Sequence, residues 1–170
     1  DSIIWCDSRA VEIGDLAAKG IGEIKYGTQL LNSPGNFTAS KLKWVKDNEE
    51  KIYERVSNFM LPGDFIAYKL TGEINTTING LSEGILWDYK EKKVANWLLE
   101  FFDLDTSLTP SLVSNFQNQG FVTDVAAKAT GLPIGIPIRY RAGDQPNNAL
   151  SLNVLKPGEV AATGGTSGVI

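Results

Sequence analysis

One acidic side chain, Asp144, stands at a position where α/β proteins commonly carry out chemistry. It lies in RYRAGDQPNNALSLN, after an alternating apolar run and before a stretch with helical character. Ligands of open α/β sheets bind at the carboxyl ends of strands, and the amino end of the next helix stabilises an anion. Asp is also a favoured helix N-cap. The pattern therefore leaves two compatible roles open for Asp144, a helix cap and a proton acceptor.

A second candidate site is the glycine-rich stretch ATGGTSGV, residues 162–169. Its successive backbone N–H groups, with the hydroxyls of Thr166 and Ser167, are suited to holding a phosphate. The stretch is not a P-loop, because no Lys follows the glycines. A plain hairpin turn is the alternative interpretation.

The composition excludes several kinds of chemistry and partner. The chain has 170 residues and no histidine, so it carries no Ser-His, Cys-His or histidine-ligated metal mechanism of its own. A formal net charge of −4 argues against a nucleic-acid partner, and the longest apolar runs fall short of a membrane span. The one cysteine, Cys6, allows no internal disulfide. With no visible signal peptide, this favours the cytoplasm.

Apolar spacing predicts alternating strands and helices, and hence α/β layering. SIIWC and GEVAAT predict strands, and GIPIRYRAG (residues 135–143) predicts a strand whose Ile136 and Ile138 face the core, with Arg139 and Arg141 on the other face. Only these three strands are convincing, fewer than a helix-covered sheet normally has. The chain is therefore expected to be a piece of a larger protein.

Helices are predicted over residues 8–27, 37–60, 64–72, 93–102, 122–131 and 145–155. The helix over 64–72 is expected to have Asp64 as its N-cap and Gly72 as its C-cap. Thr123 or Asp124 is the expected start, and Gly131 the expected stop, of the helix near residue 125. Residues 74–80 and 84–89 are β-leaning or irregular.

Five stretches occur together in an order and spacing that resemble one known family: IIWCDSRA, FTASKLKWVKDNEEKIYERV, FMLPGDFIAYKLTGE, GLPIGIPIRYRAGDQ and GEVAATGGTSGV. Over nearly its whole length the chain is similar to the FGGY family of carbohydrate kinases, most of all to members that phosphorylate D-xylulose. The resemblance implies an incomplete actin-like (ribonuclease H-like) α/β domain that lacks its first strands. Residues 1–170 would form the later part of the N-terminal domain, with about 160–170 leading toward a C-terminal domain.

The same resemblance assigns roles to individual residues. It makes Asp144 the catalytic base that faces the attacking sugar hydroxyl, and it implies ATP and Mg²⁺ as cofactors, with no metal site formed by protein side chains. Gln145 corresponds to a sugar-binding residue. Asn36 falls where relatives contact the substrate, at a position whose residue type varies between branches. The turn that meets the ATP phosphates corresponds to Gly165, Thr166 and Ser167.

The segment GDQPNNA departs from the family pattern, because many relatives have small residues after an Asp-Asn pair. The sugar is therefore more open than the reaction type, and ribulose, gluconate and glycerol are alternatives to D-xylulose. A different class also stays open, since a fold alone does not establish catalysis. In that alternative the chain is a non-catalytic sugar- or nucleotide-sensing module, and Asp144 only caps a helix.

The amino-terminal segment Asp1–Asp7 is predicted to be an exposed strand edge. In the family fold SIIWC lies beside a first strand that is not in this sequence, and it has neither lysine nor proline to protect it. We expect edge-to-edge self-association, or else a shift or covering of the segment by its own chain. Arg9 is expected to form a structural ion pair with Asp7. The isolated chain is expected to have no kinase turnover.

Overall fold

The structure is a computed structural model, and it describes residues 2–164 and 168–169 of the chain. Helices dominate this part of the chain. They are α1 (Val11–Ile21), α2 (Glu23–Gln29), α3 (Thr38–Asn48), α4 (Glu50–Tyr53), α5 (Pro62–Thr71), α6 (Ile78–Glu83), α7 (Asn96–Phe101), α8 (Asp124–Thr130) and α9 (Asp144–Ser151), with a short 3-10 helix at Thr106–Leu108.

The strands are short and pair two by two within the described residues. The pair nearest the candidate site is parallel, and its register sets Asn75 opposite Ser111. The other two pairs are antiparallel. In chain order the strands are β1 (Asn75–Thr77), β2 (Trp87–Asp88), β3 (Lys93–Val94), β4 (Ser111–Val113), β5 (Thr163–Gly164) and β6 (Gly168–Val169), with pairs β1–β4, β2–β3 and β5–β6.

An apolar core joins α1, α3, α6 and α7. Leu86, Leu98 and Leu99 are at most 1% exposed, and burial of such a side chain contributes about 1.5–3 kcal/mol. Leu81 of α6 belongs to the same cluster and is 2% exposed. The core therefore holds α6 and the adjoining β1 in place, and these two elements face the candidate site.

Three of the predicted helix boundaries are confirmed. The hydroxyl of Thr123 accepts a hydrogen bond from the Ala126 N–H at 3.2 Å, which makes Thr123 the N-cap of α8. Gly131 ends α8 and Gly72 ends α5, each with φ of 77°. This left-handed conformation is the one that glycine adopts at low cost, so both stops follow from residue type.

The predicted start of α5 is wrong. Leu61 is the N-cap, and α5 begins at Pro62, which needs no hydrogen-bond partner for its nitrogen. Asp64 is instead the third helical residue, and its Oδ2 accepts from the Leu61 N–H at 3.4 Å. The carboxylate is thereby free to turn its other oxygen away from the helix end.

The single helix predicted over residues 37–60 is also wrong in part. It breaks at Glu49, whose φ of −134° and ψ of 49° leave the helical region, and beyond α4 the chain is irregular. The Asn48 side chain donates to the Trp44 carbonyl at 2.9 Å. Such side chain-to-backbone bonds compete with the helical ladder, and this one lies at the break.

The predicted strand at residues 2–6 is not formed. The chain turns at Trp5, and the Asp7 N–H donates to the Ile4 carbonyl at 3.1 Å. A strand requires a hydrogen-bonded partner, and within the described residues none lies beside this segment. The Lys41 ammonium donates instead to the carbonyls of Ile4 and Trp5, at 2.8 and 3.1 Å. These bonds satisfy two carbonyls, but Ile4 and Trp5 stay 62% and 85% exposed, so the chain does not cover the apolar side chains of this segment. Self-association stays a prediction for light scattering across a dilution series.

The predicted strand at residues 135–143 is reduced to an extended segment with one bridge, between Phe121 and Pro137. The Val122 and Gln119 N–H groups donate to the Ile136 and Ile138 carbonyls at 2.9 and 2.8 Å. Pro137 has no N–H with which to extend the ladder.

The predicted facing of this extended segment is wrong for Ile136 and Arg141, although Arg139 is exposed as expected. Ile136 is 36% exposed, whereas the Arg141 side chain is only 9% exposed. Arg141 is buried because polar groups from other segments surround it, which the alternation of apolar residues does not reveal.

Candidate active site

Asp144 is the first residue of α9, and its predicted role as the helix cap is wrong. The N-cap is Gly143, with extended backbone angles. Among the described residues, the carboxylate oxygens of Asp144 have hydrogen-bond partners only on Gln145: Oδ1 accepts from its N–H at 3.0 Å, and Oδ2 lies 3.4 Å from its amide nitrogen. Both side chains are exposed. The carboxylate therefore has lone pairs available to a ligand, at the helix end that favours an anion.

A buried polar network lies three residues before Asp144. Arg141 Nε donates to Asp64 Oδ1 at 3.0 Å, and Arg141 NH1 donates to Gln119 Oε1 at 3.0 Å. Its NH2 donates to the backbone and side-chain oxygens of Asn75, at 2.8 and 2.6 Å. The Asp64 side chain is 5% exposed, and its Oδ2 also accepts from the Thr76 hydroxyl at 2.9 Å. The guanidinium is thus held by α5, β1 and residue 119 at once.

A second contact holds the residue between this network and Asp144. The Gly143 N–H donates to Glu83 Oε1 at 2.6 Å. Burial raises the pKa of Glu83, and the negative charges of Asp144 and Asp64 raise it further, while the bond from Gly143 opposes the shift. A Cβ at position 143 would lie 2.1 Å from Glu83 Oε2. Glycine therefore allows the Glu83 carboxylate to approach the backbone this closely.

A cavity of about 200 Å³ opens beside these contacts. Glu83, Arg141 and Gly143 line it, together with the start of α5 and Thr77. It adjoins the loop that carries Asp144, so polar groups and an open volume occur together there.

Asn36, the other predicted substrate contact, lies in the loop before α3. It is half-buried, and its side-chain nitrogen donates to the Asp7 carbonyl. Its Oδ1 is buried without a hydrogen-bond partner among the described residues. The predicted ion pair beside it is confirmed, since Arg9 donates to both carboxylate oxygens of Asp7 at 3.0 and 2.8 Å. Arg9 also lies over the ring of Trp44, 4.6 Å from its centroid.

Asn36 and Asp144 make no direct hydrogen bond in the described structure, but α6 connects their surroundings. The Thr38 hydroxyl lies 3.0 Å from the place of a Cβ on Gly84. Gly84 directly follows Glu83, which bonds Gly143. The start of α3 and the start of α9 therefore both contact the carboxyl end of α6.

The predicted nucleotide turn, Gly165, Thr166 and Ser167, lies outside the described residues. The strands on either side of it, β5 and β6, pair as an antiparallel hairpin, with Gly164 opposite Gly168. The hairpin interpretation is thus confirmed for the flanking backbone, and the phosphate-binding role stays a prediction.

Sequence reasoning missed Glu83, Asp64 and Arg141 as residues that support the site. Glu83 and Asp64 lie far from Asp144 in sequence, and Arg141 was expected on an exposed face. The motif stretches contain Asp64 and Arg141 but do not show that these two residues meet. Among the described residues, no group of three or more His, Cys, Asp or Glu side chains is arranged to hold a metal ion. No helix in that part of the chain is long and apolar enough to cross a membrane.

Comparison with known proteins identifies the family. Residues 1–151 match the model of the FGGY family of carbohydrate kinases, N-terminal domain. The chain therefore belongs to the FGGY family, and the resemblance noted from its motifs is confirmed.

Individual relatives agree with this assignment. The chain is 29% identical over 170 residues to the xylulose kinase of Staphylococcus xylosus, covering 99% of this chain and 35% of that protein. It is 30% identical over 181 residues to the glycerol kinase of Thermococcus kodakarensis, covering 100% of this chain and 34% of that one. Among solved structures, the xylulose kinase from Rhodospirillum rubrum matches with a TM-score of 0.82 and 25% identity, over 96% of this chain and 33% of that one.

The predicted fold is confirmed by these neighbours. The chain has the actin-like (ribonuclease H-like) α/β fold of the FGGY kinases. It spans about a third of the length of the curated relatives it matches.

Proposed function

We propose that this chain is part of an ATP-dependent kinase that phosphorylates D-xylulose to D-xylulose 5-phosphate. Asp144 accepts the proton of the terminal sugar hydroxyl while the oxygen of that hydroxyl attacks the γ-phosphorus of ATP, and ADP leaves. The observation that carries the proposal is the exposed Asp144 carboxylate at the start of α9, in a chain of the FGGY family. Phosphoryl transfer depends mostly on positioning and charge neutralisation, so a held carboxylate is sufficient as the base.

Two further side chains support a sugar site. The Gln145 amide lies beside Asp144 and makes only a long bond to it, at 3.4 Å, so it is available to a sugar hydroxyl. Asn36 has a buried Oδ1 without a partner in the described chain, and a buried polar atom of this kind gains from a ligand donor. We assign both residues to sugar binding.

The nucleotide is proposed to bind near residues 160–170, which would lead toward a C-terminal domain. Gly165, Thr166 and Ser167, which lie between β5 and β6 in the sequence, would meet the ATP phosphates. Mg²⁺ usually binds through substrate phosphates and one or two carboxylates, so it would enter with ATP. The ion would neutralise charge on the transferred phosphate. The proposal places the enzyme in the cytoplasm.

The substitution Asp144→Asn in the complete enzyme tests the base. We expect kcat to fall by at least about a hundredfold, a typical loss for a positioned acid–base group, while sugar binding measured by calorimetry largely survives. Unchanged turnover would refute the assignment and favour the non-catalytic sensing module. Gly143 rather than Asp144 is the N-cap of α9, so a capping role does not account for Asp144, and this substitution distinguishes the two functions.

Another sugar is the second candidate, because a glycerol kinase is among the relatives at 30% identity. Rates of the complete enzyme with D-xylulose, ribulose, gluconate and glycerol distinguish these. A clear preference for any sugar but D-xylulose would refute the narrower proposal. The purified 170-residue chain should show no turnover, since the nucleotide needs walls from two domains. ATP-dependent formation of a sugar phosphate by this chain alone would contradict that expectation.

A further inference from the structure

We propose that Glu83 and Arg141 are positioning residues, which hold Asp144 in place through the backbone of residues 141–144. The inference rests on the proposed function, because it concerns the base of that reaction. Within the part of the chain that the structure describes, the Asp144 side chain hydrogen-bonds only Gln145, so its place depends on the backbone before it. A misplacement of about 1 Å can cost a hundredfold in rate.

The first anchor is Arg141, whose side chain is 9% exposed. Its guanidinium donates to Asp64, Gln119 and Asn75 at distances of 2.6 to 3.0 Å. Three of its nitrogens are engaged with three separate segments, so the side chain has one position available to it. This fixes the backbone three residues before the base.

The second anchor is Glu83, which accepts the Gly143 N–H at 2.6 Å. This bond acts on the residue directly before Asp144. Glu83 ends α6, and α6 is fixed by Leu81 in the core and by the close approach of Gly84 to Thr38. A bond to a charged acceptor in a partly buried place is also stronger than a neutral one.

Ala142 is the one residue between the two anchored positions, Arg141 and Gly143. Gly143 has a φ of −73°, which any residue can adopt. An added Cβ would lie 2.1 Å from Glu83 Oε2 and 2.6 Å from its Cδ, so the carboxylate would have to move away from this position. The close approach of carboxylate and backbone is thus specific to this pair of residues.

The test measures kcat and the KM for ATP in the complete enzyme. Glu83→Ala and Arg141→Ala should each lower kcat by about 10- to 100-fold, with the KM for ATP changed less than about twofold, because neither residue is among those proposed to bind ATP. Glu83→Gln should recover most of the rate, since its amide oxygen can accept the same N–H. The matched control is Arg139→Ala, two residues from Arg141 but exposed and without a side-chain hydrogen bond in the described structure; its kcat should stay within about twofold.

A second set of variants tests the contact itself. Gly143→Ala should lower kcat about as much as Glu83→Ala, because the new Cβ displaces the carboxylate. The double variant should be no slower than the slower single one, since both changes break one contact and their effects are then not additive. Multiplied effects would show that the two residues act separately and would overturn the inference.

The outcomes also separate this inference from the proposed function. If Asp144→Asn abolishes turnover while Glu83→Ala and Gly143→Ala leave it unchanged, positioning is wrong and the base assignment stands. If Asp144→Asn has no effect, the proposed function fails and the inference fails with it. Equal losses in Glu83→Ala and Glu83→Gln, or a KM for ATP that rises with the fall in kcat, would indicate a general structural role and overturn positioning. Should Arg141→Ala not fold, the Glu83 and Gly143 variants still decide.

Discussion

The buried ion pair between Asp64 and Arg141 gives a stability prediction that the structure allows us to work out. Asp64→Leu removes the carboxylate and leaves the guanidinium without its counter-charge. It also removes the acceptor of the Thr76 hydroxyl at 2.9 Å. Asp64→Asn is milder, because its amide oxygen can still accept from Arg141 Nε.

The loss in the free energy of unfolding depends on which partners Arg141 keeps in each variant. Removing one partner of a buried ion pair costs about 3–5 kcal/mol, and Arg141 and Asp64 are only 9% and 5% exposed. We expect the full amount for Asp64→Leu, since bonds to Asn75 and Gln119 satisfy donors of Arg141 but not its charge. For Asp64→Asn we expect a loss of about 2–3 kcal/mol in the free energy of unfolding. The new amide NH₂ group replaces Oδ2, so two donors face each other and the Leu61 N–H loses its acceptor.

Urea denaturation of the purified chain, followed by far-UV circular dichroism, measures both losses. With a slope of about 1–3 kcal/mol per molar urea, the midpoint for Asp64→Leu should fall by at least about 1 M. The control is Asp124→Asn, which removes the exposed pair with Lys128 on α8 and should cost no more than about 0.5 kcal/mol. A loss below about 1 kcal/mol for Asp64→Leu would refute the view that this charge pair is buried and essential to the fold.

Three further predictions follow from single contacts. The pKa of Asp7 is lowered to about 2 by its hydrogen bonds from Arg9, so its contribution to stability is present above about pH 4 and is lost as pH falls toward 2; a ¹³C carboxyl titration with a midpoint near 4 would contradict this. Thr123→Ala removes the cap of α8 and should destabilise by about 1 kcal/mol in urea, and a Thr123→Ser variant should not. Because the pKa of Glu83 is raised, the unchanged protein should lose stability relative to Glu83→Gln as pH rises through that pKa. If its urea midpoint instead rises relative to that of Glu83→Gln over this range, the sign is wrong.

Three helix ends were predictable because the residue type at the end is sufficient to define it. Thr123, Gly72 and Gly131 stand where their side chains, or the lack of one, satisfy a helix end. The family was predictable too, because five separate stretches had to agree in order. Local chemistry and motif order therefore gave the fold class and the place of Asp144.

The supports of the site were not predictable, because they join residues distant in sequence. The polar alternation around Arg141 predicted an exposed side chain, and only Asp64, Asn75 and Gln119 make its burial favourable. The strand at residues 2–6 failed for a related reason: a strand depends on a partner that local sequence does not specify. Glu83 offered no signal beyond its charge.

The residues of the Arg141 network are far apart in sequence, and this separation affects the order in which the domain folds. Arg141 is 77 positions from Asp64 and 66 from Asn75, and contacts of such separation form only after the entropy of closing long loops has been overcome. We expect α3, α5 and α7 to form before the loop at residues 141–144 becomes ordered. An intermediate in folding would then have its helices but no positioned base. A sugar that binds at this loop would recognise only the finished domain and would draw the folding equilibrium toward it.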